Sequence, residues 1–164
     1  DHTLAFYRKH ALLTPSLMVY AERNGKVIGC ILGGIDDDHV LVGPTAVAEG
    51  ERRLGIGSAM MRRFEKEARQ LHQTTLVVGA RQEAEDFYLH CGYHPNLFIQ
   101  LPEAGQIEQL KQLNQHYPVI WESEEGEWSR LMLATPRVDR KLQLAYGERF
   151  PGCGTQYVFI KKIV

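Results

Sequence analysis

Two hydrophobic periods take turns along this chain, and each change of period marks an element. Ala5 to Leu13 carries a short helical pattern that stops before Pro15, because proline bars the residue ahead of it from helical backbone. Leu17 to Glu22 and Val27 to Ile35 read as strands joined by Arg23-Asn24-Gly25-Lys26, and Asn-Gly suits a tight hairpin with both central residues at positive φ. The second strand is apolar almost throughout, which predicts burial on both faces. Asp36-Asp37-Asp38-His39 turns the chain into a third strand, Val40 to Val47. Pro44 cannot donate to a ladder, so a bulge or a parting of strands is expected there.

A 3.6-residue period follows. Ile56, Ala59, Met60, Phe64, Ala68 and Leu71 fall on one stripe, with Arg62, Glu65, Lys66 and Arg69 opposite, as in a surface helix packed on a sheet. After an apolar run from Thr75 to Val78, Ala84, Phe87, Tyr88 and Cys91 share one face of another helix, which Gly92 can end in the left-handed conformation. Strand, helix, strand, helix, strand in this order predicts an α/β layer.

From Asn96 the pattern predicts a strand (Leu97 to Leu101), a helix (Glu103 to His116), strands from Val119 to Glu122 and Trp128 to Ala134, a helix (Arg137 to Arg149) and a strand (Thr155 to Ile163). That βαββαβ order is a ferredoxin-like split βαβ lobe. Ile107, Leu110 and Leu113 give its first helix a stripe, and Val138, Leu142 and Ala145 its second. With Glu125-Gly126 as a two-residue turn, Trp121 and Trp128 become diagonal neighbours on one sheet face, and a core role is the preferred reading over an exposed ligand platform. The final strand could instead complete the sheet of the first part.

Composition narrows the function classes. A chain of 164 residues with 44% hydrophobic content can bury one core, or a core and a small lobe. The formal net charge of -1 argues against a nucleic-acid or anionic-membrane surface. No apolar run reaches the roughly 20 residues of a membrane span, and Asp1-His2-Thr3-Leu4 does not open a signal-peptide pattern. Cys30, Cys91 and Cys153 are an odd set without C-x-x-C spacing, which points to reduced thiols in a cytoplasm. His90, Cys91 and His94 lie close, but Gly92 interrupts the helix between them, so no metal site is expected.

The stretch Arg52-Arg53-Leu54-Gly55-Ile56-Gly57-Ser58-Ala59 carries the chemistry. It follows the third strand and opens the long helix, where unpaired N-H groups and the positive dipole end meet an anion, and glycines let backbone approach it. Arg52 and Arg53 add charge; a glycine turn at this place also serves packing alone. The spacing Val47-x4-Arg52-x2-Gly55-Ile56-Gly57 resembles the coenzyme A pyrophosphate loop of the GNAT superfamily of N-acyltransferases. Further on, Arg81-Gln82-Glu83-Ala84-Glu85-Asp86-Phe87-Tyr88-Leu89-His90-Cys91-Gly92-Tyr93 is similar to that superfamily's helix ending in Phe-Tyr-x3-Gly-Tyr or Gly-Phe. The likeness covers roughly residues 17–101.

The resemblance implies a GNAT-like mixed twisted sheet flanked by helices over 1–95, with the α+β lobe at 96–164. It implies acetyl-CoA as cosubstrate, without a metal, held by Ala46, Val47, Arg52, Arg53, Leu54, Gly55, Ile56, Gly57, Ser58, Arg81 and Tyr88. The pantetheine arm would lie where the third and fourth strands splay, the backbone N-H near Val47 would polarise the carbonyl, and Tyr88 would be the general acid. Tyr88 also fits a core aromatic, and Arg81, where many relatives have Asn, fits a helix-start cap equally well. The family's first strand and long first helix would precede Ala5; either the chain starts within the domain or another segment replaces them.

Acetyl transfer to an amine requires the free base, a polarised carbonyl and a proton for the departing thiolate. Many relatives carry a Glu on the strand before the glycine loop, but Val42-Gly43-Pro44-Thr45-Ala46-Val47 has no carboxylate. Glu22, Asp36, Glu83 and His94 are the candidate bases, with a water relay as the alternative. The expected activity is acetylation of a primary amine on a small molecule or peptide; the competing expectation is a coenzyme-binding regulatory module without turnover. The lobe would supply an acceptor-site wall or a homodimer contact. The acidic runs Asp36-Asp37-Asp38 and Glu122 to Glu127 would either attract a cationic amine or serve as solvated turns.

Overall fold

Glycines on a single strand let helices reach both of its faces. The computed structural model describes residues 4–114 and 116–164; Asp1, His2 and Thr3 at the start of the chain, and one residue of the expected 103–116 helix, lie outside them. The fold is mixed α/β, with eight strands and five helices among the described residues. Contacts gather it into two compact units, one running to Val78 and rejoined by Lys161–Val164, the other Gly79–Ile160.

In the first unit, α1 (Leu4–Leu13) leads to β1 (Met18–Arg23), β2 (Lys26–Asp36), β3 (His39–Val47), α2 (Ile56–Gln70) and β4 (Thr75–Gly79). The strands lie in the order β1-β2-β3-β4, antiparallel up to β3 and parallel from β3 to β4. Asn24 and Gly25 both take positive φ in the β1-β2 turn, as expected. A Cβ on Gly33 would sit 2.3 Å from the Phe64 ring of α2, and one on Gly34 would sit 2.7 Å from Phe6 and His10 of α1. Thus β2 is covered from both sides because two successive positions, which point to opposite faces, lack side chains.

On α2, Met60, Phe64 and Ala68 are buried as the period requires, and Met61 joins them, while Ala59 is exposed. Glu65 departs from its expected water-facing side. It is buried beneath Lys161, whose Nζ lies 2.8 Å away, with Arg69 at 3.9 Å.

The second unit contains α3 (Glu85–His90), β5 (His94–Leu101), α4 (Ile107–Leu113), β6 (Val119–Glu125), β7 (Trp128–Ala134), α5 (Arg140–Arg149) and all of β8 (Gly154–Lys162) but its last two residues. Strands β8-β5-β7-β6 form an antiparallel ladder in which β7 separates the ends of the β5-α4-β6 crossover. This is the split βαβ arrangement expected from the pattern. Contacts divide the chain at Val78, whereas the family-based boundary after residue 95 stays a proposal about which segment is an addition.

Local departures have local causes. Helix α4 begins only after Gly105, whose φ of 77° is left-handed, rather than at Glu103. Helix α5 begins at Arg140 behind its cap Asp139, so Val138 precedes the helix; its buried residue is Tyr146, whose hydroxyl donates to Leu110 O at 2.8 Å. The turn after β6 is Gly126-Glu127, with Glu125 opposite Trp128. Trp121 therefore faces Met132, and the tryptophans are not diagonal neighbours. They are 45% and 36% exposed, which overturns the expected core role.

Asp139 gathers four bonds: its Oδ1 accepts from Leu142 N-H at 2.9 Å, its Oδ2 from the Tyr117 hydroxyl at 2.8 Å, its carbonyl from Gln143 N-H at 3.1 Å, and its own N-H donates to the Tyr157 hydroxyl oxygen at 2.6 Å. The Leu142 N-H, then the Tyr117 hydroxyl, hold its carboxyl below the usual value of 3.8. Losing such a cap costs about 1 kcal/mol, so Asp139→Ala should lower stability by about that much at neutral pH while Asp139→Asn costs less. The stabilisation of a depressed carboxyl is present above its unfolded pKa and disappears as pH falls through the folded one. The gap between parent and Asp139→Ala should accordingly narrow below pH 3.8 in urea titrations.

Candidate active site

The glycine loop leaves a set of unpaired donors at the start of α2 among the described residues. Arg53 and Gly55 take φ of 61° and 79°, so the chain turns sharply into the helix. The first helical bond is Ala59 N-H to Gly55 O at 2.9 Å. The preceding N-H groups of Ile56, Gly57 and Ser58 find no acceptor among the described residues. No side chain caps this end and no acid stands in its first turn. Unpaired amides, the dipole and the exposed Arg52 and Arg53 together suit a bound anion. Arg52 also ties the loop to the strand, its Nε donating to Val47 O at 3.1 Å. Leu54 is 61% exposed beside it.

The end of β3 is open on one side. The ladder to β4 comprises Val40 with Leu76 and Leu41 with Val77, and beyond it Thr45, Ala46 and Val47 pair only with β2. The β2-β3 register shifts around Gly43 and Pro44, where the sequence places its proline. Ala48 N-H donates to Ile28 O at 2.8 Å, and antiparallel bonds alternate between sides. The Val47 N-H therefore faces away from β2, and it has no acceptor among the described residues. A free N-H beside parted strands is the donor that a thioester carbonyl needs.

Arg81 and Tyr88 belong to the second unit. Tyr88 is 4% exposed on α3, edge-on to Phe87 and Tyr93 at 5.2 and 5.7 Å, with Phe159 tilted at 6.0 Å. Gly92, at φ 82°, ends the turn after α3 as expected. Arg81 is exposed, and its side chain does not cap the turn that begins at Gln82.

Among the candidate bases Glu22, Glu83 and His94 are exposed and Asp36 is half-buried. The acid that periodicity does not single out is Glu85: it is buried one turn before Tyr88, with Arg140 Nη2 2.5 Å from its carboxylate. Its place at i-3 from Tyr88 was the available signal. The acidic runs are largely engaged: Lys111 bridges Glu108 and Glu122 at 3.1 and 2.6 Å, Arg130 meets Glu125 at 3.6 Å, and Asp38 meets His39 at 3.3 Å. No group of three or more His, Cys, Asp or Glu among the described residues could hold a metal ion. No helix among them is long and apolar enough to cross a membrane, and the three cysteines are free thiols.

The family described as Acetyltransferase (GNAT) matches residues 1–93. No curated protein matches the chain. Among solved structures, Ard1 from Thermoplasma volcanium is similar at 21% identity and a TM-score of 0.51, over 81% of this chain and 80% of that one. N-acetylglutamate synthase from Neisseria gonorrhoeae, complexed with coenzyme A and N-acetyl-glutamate, is similar at 11% identity and a TM-score of 0.51. That likeness covers 96% of this chain and 28% of the synthase. Both establish a shared fold.

Proposed function

We propose that this chain, which belongs to the acetyltransferase (GNAT) family and is an acyltransferase, moves the acetyl group of acetyl-CoA directly to a primary amine. The observation that carries the reading is the pair of open donor sets on the first unit: the free amides of Ile56 to Ser58 and the free Val47 N-H where β3 and β4 part. The amides, with Arg52 and Arg53, would hold the pyrophosphate. Ala46 and Val47 would line the arm, and the Val47 N-H would stabilise the oxyanion that forms as the amine nitrogen attacks the acetyl carbon. As the C-S bond breaks, the Tyr88 hydroxyl gives its proton to the thiolate sulfur, and the proton shed by the acetylated nitrogen restores the hydroxyl. That role rests on the motif Phe87-Tyr88-x3-Gly92-Tyr93, as does the Arg81 contact with the coenzyme.

An amine of the lysine type has a pKa of about 10.4 and must lose a proton before attack. With no carboxylate on β3, that proton goes to water or, through water, to a carboxylate or imidazole acting as base. The same lack of a strand carboxylate favours a second reading, a coenzyme-binding regulatory module without turnover. The assignments of a cytoplasmic setting and a homodimer remain part of the proposal.

Direct transfer has a kinetic signature. Initial rates with acetyl-CoA and amine varied together should give intersecting reciprocal plots, as for a ternary complex. Parallel plots with a trapped acetyl-enzyme would replace direct transfer by a two-step route.

A further inference from the structure

We infer that the second unit binds an uncharged nucleoside in a cavity of about 510 Å³ at one end of an aromatic row on its sheet. On β5, Leu97, Ile99 and Leu101 are buried, while Phe98 and Gln100 between them are half-buried on the opposite, more open face. Register sets Phe98 in a row with Gln156 of β8 on one side, and with Met132 of β7 and Trp121 of β6 on the other. The Phe98 and Trp121 rings stand 6.2 Å apart at a tilt of 40°. Phe98, Gln100 and Gln156 line the cavity, and Trp121, 45% exposed, continues the aromatic surface from Phe98.

The groups of the lining that hold no partner decide what fits. Glu85 is held by Arg140, which donates as well to the Gln143 carboxamide, and Gln156 donates to Ala80 O at 3.3 Å. The side chains of Arg81, Gln82, Glu83, Gln100 and Thr155 have no hydrogen-bond or ion-pair partner among the described residues. Three kinds of group in one cavity then match three parts of one ligand. An open aromatic ring, Phe98, stacks on a base of any sequence. A carboxamide, Gln100, offers a donor beside an acceptor and so pairs with a base edge that carries the complementary two. A carboxylate, Glu83, accepts from the neighbouring hydroxyls of a ribose. Opposite Gln100 stands Gly154, where a Cβ would lie 3.4 Å from Gln100 Cγ, so the missing side chain leaves the carboxamide room.

Charge favours the nucleoside over a nucleotide. Outside the Glu85-Arg140 pair the cation of the lining is Arg81, which the acetyl-transfer reading gives to the coenzyme, and a phosphate placed without it would meet the Glu83 carboxylate. Arg130, on β7 opposite Gln100, is held over the Trp128 ring at 5.4 Å and by Glu125 at 3.6 Å. The inference goes beyond acetyl transfer: Phe98 and Gln100 take no part in it, and Glu83 stands in it as one of four candidate bases.

Because the coenzyme itself carries an adenosine, the test titrates the full chain calorimetrically with and without saturating CoA. Adenosine, cytidine, guanosine and uridine are each compared with their 2′-deoxy forms and their 5′-monophosphates. At least one nucleoside should bind in the presence of CoA, about tenfold more tightly than its 2′-deoxy form, the value of one hydrogen bond to a charged group, and more tightly than its monophosphate. Phe98→Leu should weaken it by about tenfold, the value of one base stack. Glu83→Gln should erase most of the preference for the 2′-hydroxyl, and Gln100→Leu should weaken binding by about fivefold. No nucleoside binding to the parent, a monophosphate that binds more tightly than its nucleoside, or parental binding in both Phe98→Leu and Glu83→Gln overturns the inference. Binding that CoA abolishes overturns it too, since the cavity would then belong to the coenzyme's own adenosine. Nucleoside binding by a chain that does not bind CoA supports the cavity and removes the transfer reading.

Discussion

Replacing Gly55 by glutamate should abolish coenzyme A binding while the chain still folds. The φ of 79° at this position disfavours an L residue, at a cost of about 1–2 kcal/mol, but a Cβ there meets no atom within 4 Å. The fold should therefore tolerate the change. The new carboxylate would stand at the positive end of α2, beside Arg52 and Arg53, and occupy electrostatically the place of the pyrophosphate. In the parent, CoA at a hundredfold excess over its Kd should add about 2.7 kcal/mol, a rise in Tm of roughly 5–10 °C for a chain of this size. The variant should show no rise at the same concentration. Gly55→Ala, strained but uncharged, should retain a reduced one. A full CoA shift in Gly55→Glu would remove the pyrophosphate from this loop.

Tyr88→Phe should lower kcat by about 10², with CoA affinity nearly unchanged. The ring stays, so its packing against Phe87, Tyr93 and Phe159 survives. The substitution removes the hydroxyl, and with it the proton for the departing thiolate. A thiol of pKa about 8.5 leaves tolerably without help, which places the effect toward the lower end of the general-acid range of about 10² to 10⁴. A fall in kcat at constant affinity reports an interaction made in the transition state. Parental turnover in the variant would return Tyr88 to the core and reassign the acid.

Local signals were legible in the sequence, and long-range partners were not. Asn24-Gly25, Pro44, the glycine loop and Gly92 each act through the backbone of their own neighbourhood, and each occurs in the structure where its chemistry predicts. The βαββαβ order was likewise readable, because helix and strand periods differ. Burial of Glu65 and Glu85 was hidden: their partners Lys161 and Arg140 lie 96 and 55 residues away, and a carboxylate on a helix reads as solvated until such a cation covers it. The tryptophan pair failed for a smaller reason. Moving the hairpin turn by one residue, from Glu125-Gly126 to Gly126-Glu127, sets Trp121 against Met132 and leaves both indoles half in water. The open Val47 N-H follows from strand register, which a single sequence does not specify.

The central claim is turnover, and steady-state release of CoA from acetyl-CoA across a panel of primary amines tests it most directly. At least one amine should raise CoA release well above hydrolysis, with one acetylated amine detected by mass spectrometry for each CoA formed, and the rate should fall in Tyr88→Phe. Tight CoA binding with no amine-dependent release from any member of the panel would contradict the claim, and would make the chain a coenzyme-binding module.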